Sequence, residues 1–269
     1  MGVKSRIKKL LTQKAYIPIS HPISSEKEFV EKVALISGGS GGIGLAIAKS
    51  LKESGCTVII AGTNVKKLES LKAETSIDTI IMNYSNPKTF DNVIQEVVSK
   101  YGKLDIFISS VGVHTENVSF WSMYPDEFER VIDINLKGTF FACQSVGKYM
   151  KNNRIKGSIL LVSSSRGSEP AWSPYGISKW GLKGLTEGLG KILVSYGINV
   201  NAIAPGSTAT GLIGIREGDS ITSNDNEMNR LIMPDEVATL AKLLVGGAGK
   251  MITGEVVHIS AGRGTFDIR

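Results

Sequence analysis

A short apolar strand that leads into a glycine-rich turn and then a helix constrains this 269-residue chain more than any other segment. Residues 33–36 are uniformly apolar, which is typical of a strand buried on both faces of a parallel sheet. The turn has the spacing Gly38-x-x-x-Gly42-x-Gly44, and the helix extends to about Ser54. Such glycines let the backbone approach a pyrophosphate, and a helix N-terminus supplies N–H donors. The segment predicts the phosphate-binding part of a nucleotide site.

Strands and helices alternate along the rest of the chain. Further strands are predicted at residues 57–61, 78–82, 104–109, 158–162, 199–203 and 256–259, and the longest helices at about 125–150 and 174–196. This alternation predicts an α/β protein, a single-domain Rossmann-like doubly wound parallel sheet with helices on both faces.

The chain divides into an N-terminal extension and one domain. Residues 1–31 are predicted to precede the domain, and no linker interrupts the dinucleotide-binding catalytic domain expected over residues 32–269. Within that domain residues 211–233 are polar and rich in glycine. A loop of this length in a compact domain usually covers a binding site, so we expect a substrate lid near 211–233.

The net charge of +6 is concentrated at one end of the chain. Residues 1–14 contain five basic side chains and no acidic one, so the remaining residues are close to neutral. A nucleic-acid-binding face requires a basic cluster on the folded body, and we therefore expect no nucleic-acid partner. Residues 1–14 are expected to form a tail that is solvated or packs against another subunit. The alternative is that this tail binds nucleic acid or a membrane surface.

The bulk composition describes an ordinary globular protein, with 42% hydrophobic and 21% charged residues. Cys56 and Cys143 are the only cysteines, which favours a reducing compartment over a disulfide framework. No apolar run reaches the ~18 residues of a membrane span, and no signal peptide is visible. We expect a cytoplasmic protein with no metal site.

Tyr175 and Lys179 are spaced i, i+4 on a predicted helix, where Ser173 is the expected N-cap and Pro174 the first residue. A phenol with a pKa of about 10 is a poor acid or base near neutral pH, and a nearby ammonium lowers that pKa. An upstream hydroxyl, Ser164, would hydrogen-bond the oxygen whose charge changes. This group is suited to interconverting a carbonyl and an alcohol, although the pair alone also arises by chance on an amphipathic helix.

The end of the second strand bears on cofactor choice. An acidic residue there would hold the ribose 2′-hydroxyl of NAD, and an arginine would accept the 2′-phosphate of NADP. Neither is present, whereas Thr63, Asn64 and Ser40 are available to hydrogen-bond a phosphate. Lys66 or Lys67 would lie nearby. These residues favour NADP(H) over NAD(H).

Taken in order, the motifs resemble the short-chain dehydrogenase/reductase family over residues 32–262, in its compact branch, which includes the 3-oxoacyl-acyl-carrier-protein reductases. The features that match are the glycine turn, Gly112 after the fourth strand, Asn135 in the next helix, Ser164, the Tyr175-Gly-Ile-Ser-Lys179 motif, and Pro205-Gly206 before Thr210. Each feature alone is weak evidence for the family, but the occurrence of all of them in this order is specific.

The resemblance implies a role for each residue. Tyr175 would be the general acid/base, Lys179 would lower its pKa, and Ser164 would orient the carbonyl. Asn135 would place a water molecule in a proton relay. The implied cofactor-binding residues are Gly38, Ser40, Gly42, Ile43, Gly44, Thr63, Asn64, Asn83, Gly112, Tyr175, Lys179, Pro205, Gly206, Thr208 and Thr210.

Two of these assignments have alternatives. Ser163 or Ser165 is an alternative to Ser164, because the serine run leaves the register open. Asn135 would otherwise only satisfy backbone groups in a kinked helix. The interval from Ser164 to Tyr175 is also short for the family, which reshapes the substrate pocket.

These features predict an NAD(P)(H)-dependent oxidoreductase, a ketone reductase or alcohol dehydrogenase that acts on a small-molecule carbonyl or alcohol. A catalytically silent nucleotide-sensing protein on the same fold is the alternative. Trp172, His114 and residues 211–233 should border the substrate pocket, with His114 more often structural than catalytic. The resemblance also implies a homodimer or homotetramer through the helices that begin near Pro125 and Pro174.

Overall fold

The computed structural model describes residues 28–216 and 218–263, and a parallel sheet of seven strands lies at its centre. The strands are β1 (Val33–Ser37), β2 (Thr57–Gly62), β3 (Asp78–Ile81), β4 (Ile106–Ser109), β5 (Ser158–Val162), β6 (Asn199–Pro205) and β7 (Val256–Ile259). Their order across the sheet is β3-β2-β1-β4-β5-β6-β7, and every neighbouring pair is parallel. The predicted doubly wound α/β fold is confirmed.

Helices cover both faces of the sheet. They are α1 (Gly42–Glu53), α2 (Val65–Thr75), α3 (Phe90–Tyr101), α4 (Pro125–Ile132), α5 (Thr139–Asn152), α6 (Pro174–Leu193) and α7 (Pro234–Val245). One hydrophobic core joins the sheet to α1, α2 and α7, and the other joins it to α3, α5 and α6. Alternate residues of β1 enter opposite cores, which explains why residues 33–36 are all apolar.

The direction of winding reverses between the two central strands. From β1 the chain proceeds outward through β2 and β3, then returns to β4 and proceeds to the other edge. At such a reversal the loops after the two central strands diverge and leave a crevice at their carboxyl ends. The buried Tyr84 hydroxyl spans this point, at 2.6 Å from Ser37 Oγ and 2.9 Å from Ser109 Oγ.

The predicted helix over residues 125–150 consists of three consecutive parts. A π-helical segment, Asp133–Gly138, lies between α4 and α5. Such segments recur at functional sites, and this one contains Asn135. In the segment after β3, Pro87–Thr89 forms a separate 3-10 turn, and α3 begins at Phe90.

The folded body begins before the predicted boundary at residue 32. Phe29 is 2% exposed and belongs to a hydrophobic core, and Glu28 Oε2 accepts a hydrogen bond from Gly247 N at 2.7 Å. Residues 28–31, which the sequence places in the extension, therefore pack on the domain. The basic residues of positions 1–14, and the alternative that they bind nucleic acid or membranes, lie outside the described residues.

The described residues of the segment 211–233 form little regular structure, and its role as a substrate lid stays a prediction. The described part contains a 3-10 turn at Gly211–Ile213 and isolated bridges from Thr208 to Ile232 and from Thr222 to Arg230. None of the described helices is long and apolar enough to span a membrane. Cys56 and Cys143 are both buried and unpaired.

Candidate active site

A cavity of about 970 Å³ lies at the carboxyl ends of the strands, beside the crevice between β1 and β4. It brings together most of the residues predicted from the sequence: Gly38, Ser40, Gly42, Ile43, Thr63, Asn83, Gly112, Ser164, Tyr175, Lys179, Pro205, Gly206, Thr208 and Thr210. Trp172 and His114 line it as expected, as do Leu212, Ile213 and Asp225 of the predicted lid. Gly44, Asn64 and Asn135 are not among the lining residues.

The glycine turn is compressed against the loop that follows β4. Gly38 has a φ of +69°, and a Cβ there would lie 2.5 Å from the Ser110 carbonyl oxygen. A Cβ at Gly44 would lie 2.5 Å from the Gly38 oxygen, so Gly44 is required for packing of the turn. A Cβ at Gly42 would lie 2.6 Å from Thr210 Cγ2. Contact between Gly42 and Thr210 joins the loops after β1 and β6.

Two predicted polar ligands of the cofactor make local hydrogen bonds. Asn64 is the N-cap of α2, and its Oδ1 accepts a hydrogen bond from Lys67 N at 3.0 Å. Asn83 Oδ1 accepts one from Ser85 N at 3.0 Å. Thr63 lines the cavity at the end of β2. Thr63 is therefore placed to meet a ligand, whereas the Asn64 side chain stabilises the helix start.

The start of α6 has the predicted cap. Ser173 Oγ accepts a hydrogen bond from Gly176 N at 3.2 Å, and Pro174 is the first helical residue. The helix places Lys179 Nζ 5.6 Å from the centroid of the Tyr175 ring. Because α6 begins at this cap, Tyr175 and Lys179 both lie in its first two turns, as the spacing predicts.

Lys179 is buried, with 3% of its surface exposed. Its Nζ donates a hydrogen bond to the Val162 carbonyl at 3.1 Å. Gly112 faces it, and a Cβ at that glycine would lie 3.4 Å from Nζ. A bulkier residue at position 112 would therefore crowd the ammonium group.

The structure distinguishes among the three serines after β5. Of the three, Ser164 is the one whose hydroxyl lowers the pKa of Tyr175 by hydrogen bonding, and its Oγ accepts a hydrogen bond from Arg166 N at 3.2 Å. Ser163 is buried and donates to the Lys179 carbonyl at 3.4 Å, and Ser165 is 2% exposed. Ser164 is thus the hydroxyl directed at Tyr175.

Burial controls the protonation of the two central groups. Burial lowers the pKa of Lys179 to about 8, because the charged form loses its hydration. Burial also raises the pKa of Tyr175, and the Ser164 hydrogen bond and the Arg166 charge oppose this rise only in part. The direction for Tyr175 differs from the lowering by Lys179 expected from the sequence. Desolvation of the phenolate outweighs the nearby charges in this structure.

Asn135 lies in the π-helical segment and is fully buried. Its Oδ1 accepts a hydrogen bond from Val113 N at 2.8 Å, and its Nδ2 donates to Val113 O at 3.0 Å and to Ser178 Oγ at 3.2 Å. The amide therefore fastens the loop after β4 to α6. This contact matches the backbone-satisfying alternative, and a role in a water relay stays a prediction.

His114 lies closer to Tyr175 than the sequence suggests. Its ring stacks on Tyr175 with centroids 4.2 Å apart and an interplanar angle of 21°. Burial lowers the pKa of His114, and the charges of Lys179 and Arg166 lower it further. A neutral imidazole thus covers one face of the phenol.

A charged cluster at the cavity is absent from the sequence-based prediction. It comprises Arg166, Glu169, Asp225 and Arg263. Arg263 follows β7, and its Nε donates to Glu169 Oε1 at 3.1 Å. Since every parallel strand ends at the same edge of the sheet, the loop after β7 could have been expected near the cavity.

Comparisons with known proteins cover nearly the whole chain. A family model described as short chain dehydrogenase matches residues 32–218. The 3-oxoacyl-acyl-carrier-protein reductase FabG of Rickettsia felis is 36% identical over 240 residues, which are 86% of this chain and 96% of that protein. The 3alpha-hydroxysteroid dehydrogenase of Mediterraneibacter gnavus is 28% identical over 240 residues, which are 85% of this chain and 95% of that protein.

A solved structure with the same fold is the 3-ketoacyl-(acyl-carrier-protein) reductase from Brucella melitensis complexed with NADH. It superposes with a TM-score of 0.79 at 26% identity and covers 88% of this chain and 100% of its own.

The burial of Lys179 predicts a stability that increases with pH. Above about pH 8 the folded chain loses the Lys179 proton, whereas the unfolded chain keeps it up to the ordinary pKa of 10.5. The unfolded state then binds more protons, so the free energy of unfolding rises with pH over this window. We expect the free energy of unfolding of wild type, relative to that of Lys179→Met, to rise by about 1–3 kcal/mol between about pH 8 and about pH 10. Urea unfolding of both proteins at each pH measures this difference. A pH-independent difference between the two proteins would contradict this prediction.

Proposed function

The chain belongs to the short-chain dehydrogenase/reductase family of oxidoreductases, and on that premise we propose that it is an NADP(H)-dependent ketone reductase or alcohol dehydrogenase with Tyr175 as general acid/base. The observation that carries the proposal is the grouping of Tyr175, Ser164 and Lys179 in one cavity with the glycine turn after β1. A hydroxyl pair and a buried ammonium suit a reaction in which charge changes on one substrate oxygen.

The residues of the cavity fit a nicotinamide dinucleotide, the kind of cofactor that this family binds. The turn at Gly38 and Gly42 leaves the backbone uncovered at the N-terminus of α1, where a pyrophosphate is favoured. Gly112 leaves space beside Lys179 Nζ, which would hold the nicotinamide ribose. Thr210, and with it Thr208, would meet the carboxamide or the phosphates. When bound, the cofactor supplies or accepts a hydride.

The protein's own groups would carry the proton. In the reductive direction the Ser164 hydroxyl orients the ketone oxygen, and the Tyr175 hydroxyl gives its proton to that oxygen. The raised pKa of Tyr175 keeps the phenol protonated, which is the form that a reductase requires. The Val162 carbonyl accepts a hydrogen bond from Lys179 and so holds it beside the phenol, where its charge would stabilise the phenolate left after proton transfer.

Replacing the phenol hydroxyl tests this role. In Tyr175→Phe we expect kcat for ketone reduction to fall by about 10²–10⁴-fold, because the acid/base group is lost. The Kd for NADPH should change by less than about threefold, since the ring is retained. Tyr196→Phe, at an exposed tyrosine after α6, is the matched control and should behave as wild type.

The possible outcomes separate the alternatives. Comparable turnover in Tyr175→Phe would overturn the mechanism. If wild type binds NADPH but reduces none of a broad ketone panel, the silent nucleotide-sensing protein becomes the better description. Failure to bind either nucleotide would overturn the proposal as a whole.

The preference for NADP(H) rests on the end of β2. The residues Gly62, Thr63 and Asn64 carry no carboxylate, and Lys66 and Lys67 are exposed at the start of α2. An acid at this position would repel a 2′-phosphate. Thr63 and Ser40 would hydrogen-bond that phosphate from the cavity wall.

Fluorescence titration with NADPH and NADH tests the cofactor preference. Wild type should bind NADPH more tightly. In Thr63→Asp the Kd for NADPH should rise about tenfold, because the new carboxylate faces the phosphate, while the Kd for NADH changes by less than about threefold. The neutral isostere Thr63→Asn is the control and should keep the preference. Tighter binding of NADH by wild type would exclude an NADP(H) enzyme.

An exposed apolar surface supports the proposed homodimer or homotetramer. A shallow cavity of about 430 Å³ lies between α6 and the continuous run of α4, the π-helical segment and α5. It is lined by Ile132, Leu136, Lys137, Phe140, Phe141, Gly181 and Leu185. Phe140 and Phe141 are 43% and 38% exposed. These are the helices through which the family resemblance implies assembly, so a second copy of the chain is the proposed occupant.

Sedimentation analysis tests the assembly. Wild type should sediment as a multiple of the 28.8 kDa chain. Phe140→Glu should shift it toward the monomer, because a buried unpaired carboxylate is unfavourable at an apolar interface. Met251→Glu, at a residue 95% exposed elsewhere, is the control and should leave the assembly unchanged. A monomeric wild type would contradict the proposal.

A further inference from the structure

Arg166 occupies the wall of the cavity directly beside the proposed catalytic groups. It follows β5 in the 3-10 turn Ser165–Ser168, and its backbone N–H donates to Ser164 Oγ at 3.2 Å. Its positive charge opposes the rise that burial causes in the pKa of Tyr175, and it adds to the lowering of the pKa of His114. An effect on both rings places the guanidinium within electrostatic reach of the reacting oxygen.

An ion pair with Glu169 holds the Arg166 side chain in position. Its Nη1 donates to Glu169 Oε2 at 2.8 Å. Glu169 is itself held, because Arg263 Nε donates to its Oε1 at 3.1 Å and Trp180 Nε1 donates to its carbonyl at 2.7 Å. Glu169 thus anchors Arg166 to the loop after β7 and to α6.

Arg166 retains hydrogen-bonding capacity. Within residues 28–216 and 218–263, its side chain donates only through Nη1, and half of that side chain is exposed. A guanidinium has five N–H donors in a rigid fork. Arg263 differs, because it is 21% exposed and bound to Glu169, Ser207 and Asp225. Arg166 is therefore the arginine of the cluster with donors available to a ligand.

The charges around the phenol are unequal. Lys179, Arg166 and Arg263 line the cavity, and Asp225 is the one acidic residue among the described lining residues. Glu169 lies behind the wall and is shared by two arginines. The wall near Tyr175 therefore carries more positive than negative charge, which disfavours a cationic substrate and favours an anionic one.

We propose that Arg166 is a specificity-determining residue that binds an anionic oxygen group of the substrate, so that the ketone reduced here also carries a carboxylate or a phosphate. The inference rests on the proposed reductase function. The fork of the guanidinium matches the two oxygens of either group, and charge-assisted hydrogen bonds of this kind are strong. While Arg166 holds the anionic end, Ser164 and Tyr175 receive the ketone oxygen.

Matched substrate pairs test the inference. The probes are 3-oxobutanoate and 4-oxopentanoate, each with its neutral ethyl ester, and dihydroxyacetone phosphate with dihydroxyacetone. We expect wild type to have a kcat/KM about ten- to a hundredfold higher for an anionic member than for its neutral partner. The pair that shows the larger ratio distinguishes a carboxylate from a phosphate.

In Arg166→Gln this ratio should fall to about one, mainly through a higher KM for the anionic member. Any effect of the lost charge on Tyr175 acts on both members of a pair and cancels in the ratio. Arg166→Lys should restore part of the preference, because it keeps the charge but not the fork. Arg154→Gln removes the same charge at an exposed position before β5, at the opposite edge of the sheet, and should leave the ratio unchanged.

A calorimetric titration keeps this test independent of turnover. Each anionic probe is titrated into the protein saturated with NADP⁺, which has no hydride to give to the ketone, and binding should occur in wild type and be lost in Arg166→Gln. If no ketone is reduced, this result still supports the role of Arg166 while the proposed reductase function fails. Equal kcat/KM values within every pair in wild type, equal losses for both members in Arg166→Gln, or no binding of any anion would overturn the inference. A weaker Kd for NADPH in Arg166→Gln would instead assign the residue to the cofactor and would also overturn it.

Discussion

The reversal of winding between β1 and β4 is the constraint on which the site depends. All seven strands point the same way, so every loop that follows a strand reaches one edge of the sheet. The loops after β1 and β4 then diverge, and the crevice between them becomes the cavity. Tyr84 joins the two strands at this point through Ser37 and Ser109. Residues that are far apart in the chain therefore meet in one cavity at the carboxyl ends of the strands.

The buried ammonium group of Lys179 is central to the electrostatics of the cavity. Removing a cation from water is unfavourable, which is why its pKa falls to about 8. The Val162 carbonyl and the space beside Gly112 make the burial tolerable. The same desolvation raises the pKa of Tyr175, so the proton stays on the phenol. Arg166 and its partner Glu169 extend this network of charges from the neighbourhood of Tyr175 to Arg263, after β7.

Much of the fold and part of the site could be predicted because they depend on local patterns. The apolar run of β1 and the glycine spacing after it identify a strand, a turn and a helix from neighbouring residues alone. The i, i+4 spacing of Tyr175 and Lys179, with the cap at Ser173, places both side chains on one helical face. The boundary at residue 32 was less accurate, since Phe29 joins the core through contacts that no local pattern reveals.

The order of strands and helices, the glycine turn and the types of the central side chains follow from the amino-acid sequence alone, because hydrophobic periodicity and residue spacing act over a few residues. Three features depend on the folded chain: the choice of the serine near Tyr175, the capping of a helix by Asn64, and the fastening of a loop by Asn135 from a π-helical segment. The tertiary structure also decided the pKa directions and the pairing of Glu169 with Arg263. These properties follow from burial and from contacts between distant segments, which exist only once the sheet has brought its loops together.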